Sequence, residues 1–301
     1  MPKLINKICF VLLIPAFVFL ASYPSFAREL SDEIGRKISV SPHPGRIVSM
    51  APGITETLYA LNLADKIVGV TTFCDWPREA RRKEKIGGFT NPSIEKIVSL
   101  KPDLILATAD GNRKETVLQL ERLGLPVYVI NPADTEGILE SILGIGEVTD
   151  HMPGARSLVA ALRKRLKNID AQIKDKKKPR VFFQIGLEPV ISAGAGTMIN
   201  EAMERAGAVN VAGQSAARYP RYSAEGIVAA RPDIILIAPM SGDNGFNVGK
   251  TFWNKIGMVP AVKNGRIYSV DTDLISRASP RMIDAIEQMA LIFHPEIKIA
   301  K

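Results

Sequence analysis

From Arg46 onward the apolar residues fall into two alternating patterns. Short unbroken runs rich in Val and Ile give way to stretches in which apolar positions recur every three or four residues. Unbroken runs of this length predict strands buried on both faces; the three-and-four spacing predicts helices. In chain order, RIVSM (46–50) predicts a strand, TETLYALNL (55–63) a helix and KIVGV (66–70) a strand. SIEKIVSL (93–100) then predicts a helix, DLILA (103–107) a strand, KETVLQLERLG (114–124) a helix and PVYVI (126–130) a strand. TEGILESILGIGEVT (135–149) closes the set as a helix. Strands alternating with helices argue for a largely parallel sheet covered on both faces.

The alternation then stops. Residues 152–178 carry no strand signal, and Leu158, Leu162, Leu166, Ile169 and Ile173 recur at helical steps after Pro153. A helix of about 20 residues, roughly 30 Å long, is predicted here. Its lysine-rich end suits a helix C-terminus. The alternation restarts with strands RVFFQI (180–185) and PVISAG (189–194) and a helix at 197–207. Helix AEGIVAA (224–230) follows, then strands DIILIA (233–238) and RIYSV (266–270) and a last helix at 280–293.

An internal repeat relates the two halves. SIEKIVSLKPDLIL (93–106) and SAEGIVAARPDIIL (223–236) agree at eight of fourteen positions, 130 residues apart. In each, a proline punctuates the passage from helix to strand. The predicted architecture is α/β: two similar lobes with largely parallel sheets, joined by one long helix, with a ligand cleft between them. The boundaries are an N-terminal lobe at 28–150, the linking helix at 151–178 and a C-terminal lobe at 179–301.

The first 27 residues differ from the rest. Lys3 and Lys7 precede an apolar run from Ile8 to Leu20, and small residues end the stretch at Ser25 and Ala27. This is the plan of a cleaved signal peptide, and the run is short for a bilayer span of about 20 residues. Export to the periplasm follows as the expectation. Cleavage removes two lysines and lowers the net charge from +8 to +6. The basic stretches at 78–85 and 174–180 contain acids or adjoin a helix end, without interleaved aromatics. They read as solvated surface, not as a nucleic-acid face. Cys74 remains as the one cysteine after cleavage, so no intramolecular disulfide is expected.

Catalytic chemistry is sparse. His43, His151 and His294 have no metal-ligand spacing, and each reads as a surface or capping residue. GFNVGKT (245–251) has three residues between its glycines where a phosphate loop needs four; it reads as a flexible surface loop. No nucleophile motif occurs. Neither catalytic residues nor a metal site are expected. Aromatic residues carry more. Phe73 and Trp76 in TTFCDWP, Phe89 in GGFTNP, and Tyr219 and Tyr222 in ARYPRYS stand in loops beside strand and helix ends. Ligands of open α/β sheets bind in such loops, and flat side chains suit a large flat ligand. DTDLISRASPR (271–281) puts Asp273 and Arg277 in one loop at the cleft, with an internal ion pair the plain reading of Arg281.

RIVSMAPGITETLYALNLADKIVGVTTFCDWP, the repeated SIEKIVSLKPDLILA phrase, VFFQIGLEPVISAG and RASPR together resemble the periplasmic binding proteins with a rigid linking helix. FCDWP and DTDLISRASPR point to the cobalamin binders among them; haem and iron–siderophore receptors share the wider pattern. The resemblance spans roughly residues 46–294. It implies a non-catalytic monomeric receptor that captures cobalamin or a related corrinoid between its lobes. Delivery would be to the membrane subunits and ATPase of an ABC importer. It also implies ligand contacts at Phe73, Trp76, Phe89, Tyr219, Asp273, Leu274, Ile275, Ser276 and Arg277. Thr108 and Leu274 stand where the cobalamin binders carry tryptophan. Glu95 and Glu225 match the glutamates with which such proteins dock on importer arginines. A carboxylate in the first turn of its own helix also has a local use against the helix dipole. The alternatives are a haem or iron–siderophore receptor, with Tyr219 or Tyr222 on iron, and an exported tetrapyrrole-modifying enzyme.

Overall fold

The structure is a computed structural model that describes residues 27–239 and 242–299. The expected signal peptide lies outside the described residues, except for Ala27. The elements run β1 (Arg28–Ser31), β2 (Lys37–Val40), β3 (Ile47–Ser49), α1 (Pro52–Ala60), β4 (Ile67–Val70), α2 (Ile94–Ser99), β5 (Leu104–Thr108), α3 (Lys114–Arg122), β6 (Val127–Ile130) and α4 (Thr135–Val148). The strut α5 (Met152–Ile173) follows. After it come β7 (Arg180–Gln184), β8 (Gly186–Leu187), β9 (Val190–Ile191), α6 (Met198–Arg205), β10 (Val209–Asn210), β11 (Arg221–Tyr222) and α7 (Ala224–Ala230). β12 (Ile234–Ile237), α8 (Gly242–Lys255), α9 (Pro260–Lys263), β13 (Ile267–Ser269), α10 (Thr272–Ser276) and α11 (Met282–Phe293) complete the chain.

Each lobe holds a four-stranded parallel sheet, ordered β4-β3-β5-β6 before the strut and β10-β7-β12-β13 after it. By order of appearance in the chain both read second, first, third, fourth. The repeat therefore occupies equivalent places, the helix before the third strand and that strand itself. Every residue of β5, β6 and β12 is buried, as their unbroken apolar runs require.

Hydrogen bonds explain why the repeat keeps its Pro-Asp pair. Asp103 accepts the backbone N–H of Arg46 at 2.8 Å, and Asp233 accepts that of Arg180 at 2.9 Å. The guanidinium of Arg46 returns to the carbonyls of Leu100 and Lys101 at the end of α2, and that of Arg180 to Ala230 at the end of α7. Each aspartate thus fixes the start of the first strand of its parallel sheet, and each arginine satisfies the open carbonyls of a helix C-terminus. Lys101 and Arg231 both sit just before the proline at φ +46, a left-handed turn that ends the helix.

The strut is 22 residues long and buries Ala155, Val159, Leu162, Leu166, Ile169 and Ile173 on one stripe. It packs against α4 of the first lobe and α11 of the second. Arg165 anchors the second contact, reaching Asp284 at 2.6 Å and Glu287 at 2.8 Å. One core runs through β3, the strut, β7 and α11, so the lobes share packing as well as a tether.

Several elements depart from the sequence expectations. The stretch 245–251, expected as a loop, lies inside helix α8, because Trp253 is fully buried against Phe182 and donates its indole N–H to Gln184. PVISAG gives only the two residues of β9, antiparallel to β8 and β11 in a small separate sheet. The loop expected at 271–281 opens with the short helix α10, capped by Asp271 on the N–H of Asp273. Of the two readings of His294, capping holds and surface does not: it is the C-cap of α11, is 2% exposed and bonds the Gly207 carbonyl. The β1–β2 hairpin lacked any sequence expectation. Its turn covers the edge strand β6, with Glu33 N–H donating to the Val129 carbonyl and Asp32 accepting the Val129 N–H.

Candidate functional site

In a sheet ordered second, first, third, fourth, the loops leaving the first and third strands diverge and open a crevice at their carboxyl ends. The first lobe builds its half of the cleft there. Ala51, Pro52, Gly53 and Ile54 follow β3, Thr108 and Asp110 end β5, and Ile130 and Pro132 end β6. The second lobe adds Met198 from the start of α6 and Asp273, Ser276, Arg277 and Ala278 from α10 and beyond. This cavity of about 370 Å³ continues into a neighbour of about 570 Å³ that shares Asp110, Pro132, Met198 and Ser276 with it. The two form one cleft between the lobes.

Phe73 and Phe89 line the first cavity from the N-terminal lobe; Tyr219 and Ile275 line the second from the C-terminal lobe. Phe73 and Tyr219 are 59% and 55% exposed, large apolar surface left open on the two walls. Phe89 is held by its surroundings. Its ring packs on Gly111, where φ is +123 and a side chain would strike the ring. The buried Asn112 amide ties the Phe89 carbonyl at 2.9 Å to that of Met50 at 3.0 Å. Tyr219 stands in a segment pinned to β9's continuation, with Ser192 N–H on the Pro220 carbonyl and Gly194 N–H on that of Arg218. A lone Asn after a strand carries no sequence pattern, so Asn112 is visible only in the fold.

Two expected contacts lie elsewhere. Leu274 is buried in the main core rather than on the cleft wall, because α10 turns its apolar side inward. Trp76 lines neither cavity. Its ring covers the Arg281 guanidinium at 4.1 Å and stays 47% exposed. Tyr222 packs edge-on against Phe182, away from the cleft.

Arg277 is 10% exposed and contacts three carboxylates: Glu56 at 2.9 Å, Asp75 at 2.8 Å and Asp273 at 2.9 Å. Burial alone would lower its pKa; the bonds to Glu56 and Asp75 outweigh it and push the value up. The guanidinium is permanently charged. Arg281 forms the ion pair expected of it, reaching Glu56 at 3.2 Å.

A second contact between lobes lies at Glu201, which accepts a hydrogen bond from Thr135. Burial holds its carboxyl above the usual range, against the bonds from Thr135 and the charge of Arg205. A carboxyl with a raised native pKa favours the fold most below its unfolded value, and that contribution is lost as pH rises through the native one. Glu201→Gln is therefore expected to raise the thermal midpoint at pH 8 and leave it unchanged at pH 4. Thermal melts across that range check it.

Glu95 and Glu225 are exposed and stand in the first turns of α2 and α7. Both helices run back along their sheets, so their N-termini lie at the carboxyl edge of the strands, the edge that carries the cleft. Ser93 and Ser223 cap the helices on the N–H groups of Lys96 and Gly226. The capping work is done by the serines. The Glu225 carboxyl is held below its usual range by its own backbone N–H and by Ser223.

Among the described residues, no three His, Cys, Asp or Glu side chains gather to hold a metal ion, and no helix is long and apolar enough to cross a membrane. Cys74 is buried, within 3.1 Å of the hydroxyls of Thr55 and Thr71.

Residues 47–274 match the family model described as periplasmic binding protein. An ABC transporter substrate-binding lipoprotein of Bacillus subtilis, itself uncharacterised, is 33% identical over 279 residues, covering 90% of this chain and 87% of the relative. The periplasmic vitamin B12 binding protein BtuF of Vibrio cholerae superposes with a TM-score of 0.74 at 28% identity, over 84% of this chain and 97% of that one. A periplasmic heme binding protein from Pseudomonas aeruginosa superposes with a TM-score of 0.75 at 25% identity, over 86% and 95%.

Proposed function

The chain belongs to the periplasmic binding protein family, whose members bind solutes and are not enzymes, and from that premise we propose that it captures cobalamin or a related corrinoid in the cleft. It hands the ligand to the membrane subunits and ATPase of an ABC importer from the outer side of the inner membrane. One observation carries the ligand class. Flat and soft apolar side chains, Phe73, Phe89, Tyr219 and Met198, line the cleft from both lobes, and among the described residues neither histidine nor cysteine lines it. A corrinoid brings its own metal and axial ligands, so it asks the protein for apolar walls and a few polar groups. Asp110, Asn131, Arg218 and Asp273 supply such groups at the rim. Similarity to BtuF agrees with this reading.

Haem is the second reading, favoured by Tyr219, whose phenol is of a type that ligates haem iron, and by similarity to the P. aeruginosa protein. Titrating purified protein separately with cyanocobalamin and hemin, by calorimetry and visible spectroscopy, separates the two. Saturable heat with cyanocobalamin and an unshifted hemin spectrum are expected. A Soret shift with hemin and no heat with cyanocobalamin would overturn the corrinoid reading. Docking through Glu95 and Glu225 is the remaining part of the proposal, supported by their exposure and their matching positions in the two lobes.

A further inference from the structure

Glu56 lies in α1 of the N-terminal lobe, yet its carboxylate serves the other lobe. It is 4% exposed. One oxygen accepts Arg277 at 2.9 Å and Arg281 at 3.2 Å; the second accepts the Ser279 hydroxyl at 2.6 Å. All three donors come from the segment that follows α10. The Ser279 hydroxyl also accepts the Arg281 N–H, so the segment is folded around this single acid. Asp75 adds a second bond from the first lobe to Arg277, and Trp76, next in sequence, lies over Arg281.

The charges explain why one acid is decisive. Two guanidinium groups converge on a buried point, where unpaired charge is costly. Asp75 and Asp273 are each about half exposed and reach only Arg277. Among the described residues, Glu56 is the one carboxylate within ion-pair distance of Arg281. Arg277 also lines the cleft, so the same bond that joins the lobes sets where a cleft-facing guanidinium stands.

We propose that Glu56 is a positioning residue: it fixes Arg277 and Arg281 across the lobe junction and so sets the floor of the ligand cleft. It touches no lining surface of its own. Arg277, from the second lobe, lines the cleft, and an acid from the first lobe holds it and Arg281 in place.

The test uses the ligand-free protein first and so does not depend on the identity of the ligand. The chain has two tryptophans; Trp253 is fully buried, so quenching by neutral acrylamide reports Trp76. In Glu56→Gln, quenching is expected to rise about twofold as Arg281 leaves the ring face. Amides of residues 272–281 are expected to exchange about tenfold faster, with β5 and β12 amides unchanged. Ser279→Ala, which leaves both ion pairs in place, is expected to change either readout by less than about twofold. Unchanged quenching and exchange in Glu56→Gln would overturn the proposal. So would faster exchange spread evenly through both sheets, the mark of a residue that only stabilises the fold. A cyanocobalamin titration then adds the cleft: about tenfold weaker binding is expected from a displaced Arg277. Loss of local order with unaltered cyanocobalamin affinity would overturn the link to the floor. A wild-type protein that binds no cyanocobalamin would instead count against the corrinoid reading, leaving the positioning role to the ligand-free measurements.

Discussion

Arginine at both Glu95 and Glu225 is expected to abolish delivery of ligand to the importer while binding of that ligand stays within about twofold of wild type. The expectation rests on what these carboxylates leave undone. In the repeat, the serines cap the helices, Ile97 and Ile227 feed the core, and the aspartates fix the first strand of each parallel sheet. The two glutamates are exposed and enter neither cavity. A reversed charge there meets a basic partner as a like charge, at two places at once. Loss of about a hundredfold or more in affinity for the importer is expected. Helix dipoles favour an acid at these sites, and the change in fold stability should be small because the effect is confined to an exposed first turn. Transport by the importer in vesicles, paired with calorimetry of ligand binding, checks both halves. Normal delivery by the double variant would put docking elsewhere on the surface. Lost ligand binding would assign the glutamates to the fold or the pocket.

Elements with one dominant pattern were legible in the sequence. β5 and β12 are unbroken apolar runs, and the strut is a long periodic stretch between Pro153 and Pro179, so tertiary context had little to override. The repeat carried more than its identities showed, because its Pro-Asp pairs belong to the hydrogen-bonded starts of β3 and β7. Helix α8 was hidden by Gly245, Asn247 and Gly249, whose weak helix propensity is outvoted by burial of Trp253. Glu56 was hidden for a different reason. On a wheel of α1 it falls opposite Ile54 and Leu58, the side that faces water in a helix packed on one sheet. The second lobe closes over that side and buries it. Periodicity describes one interface of a helix; α1 has two. Leu274 shows the converse: its position in a family pattern suggested a ligand wall, and its apolar side chain went to the core.

Gly53 is where those two interfaces leave least room, and Gly53→Ala is expected to unfold the junction that Glu56 holds. A methyl group there would sit 2.3 Å from the Ala278 carbonyl oxygen and 2.9 Å from its carbon. Both are backbone atoms, so no side chain can swing away. Two effects oppose each other. Alanine in place of glycine favours a helix by about 1 kcal/mol at an interior position, and less in a first turn. Forcing extra volume into a packed site costs about 1–3 kcal/mol, and here the displaced element is the chain carrying Arg277, Ser279 and Arg281. The clash wins, because the opposing atoms are backbone and cannot swing aside. A loss of about 1–3 kcal/mol in urea unfolding is expected, with faster amide exchange at 276–281. Gly257→Ala has open space around its added carbon, so a change within about 0.5 kcal/mol is expected there. A stabilised Gly53→Ala would mean that α1 and the Ala278 segment separate freely, and that the cleft floor is assembled only when ligand arrives.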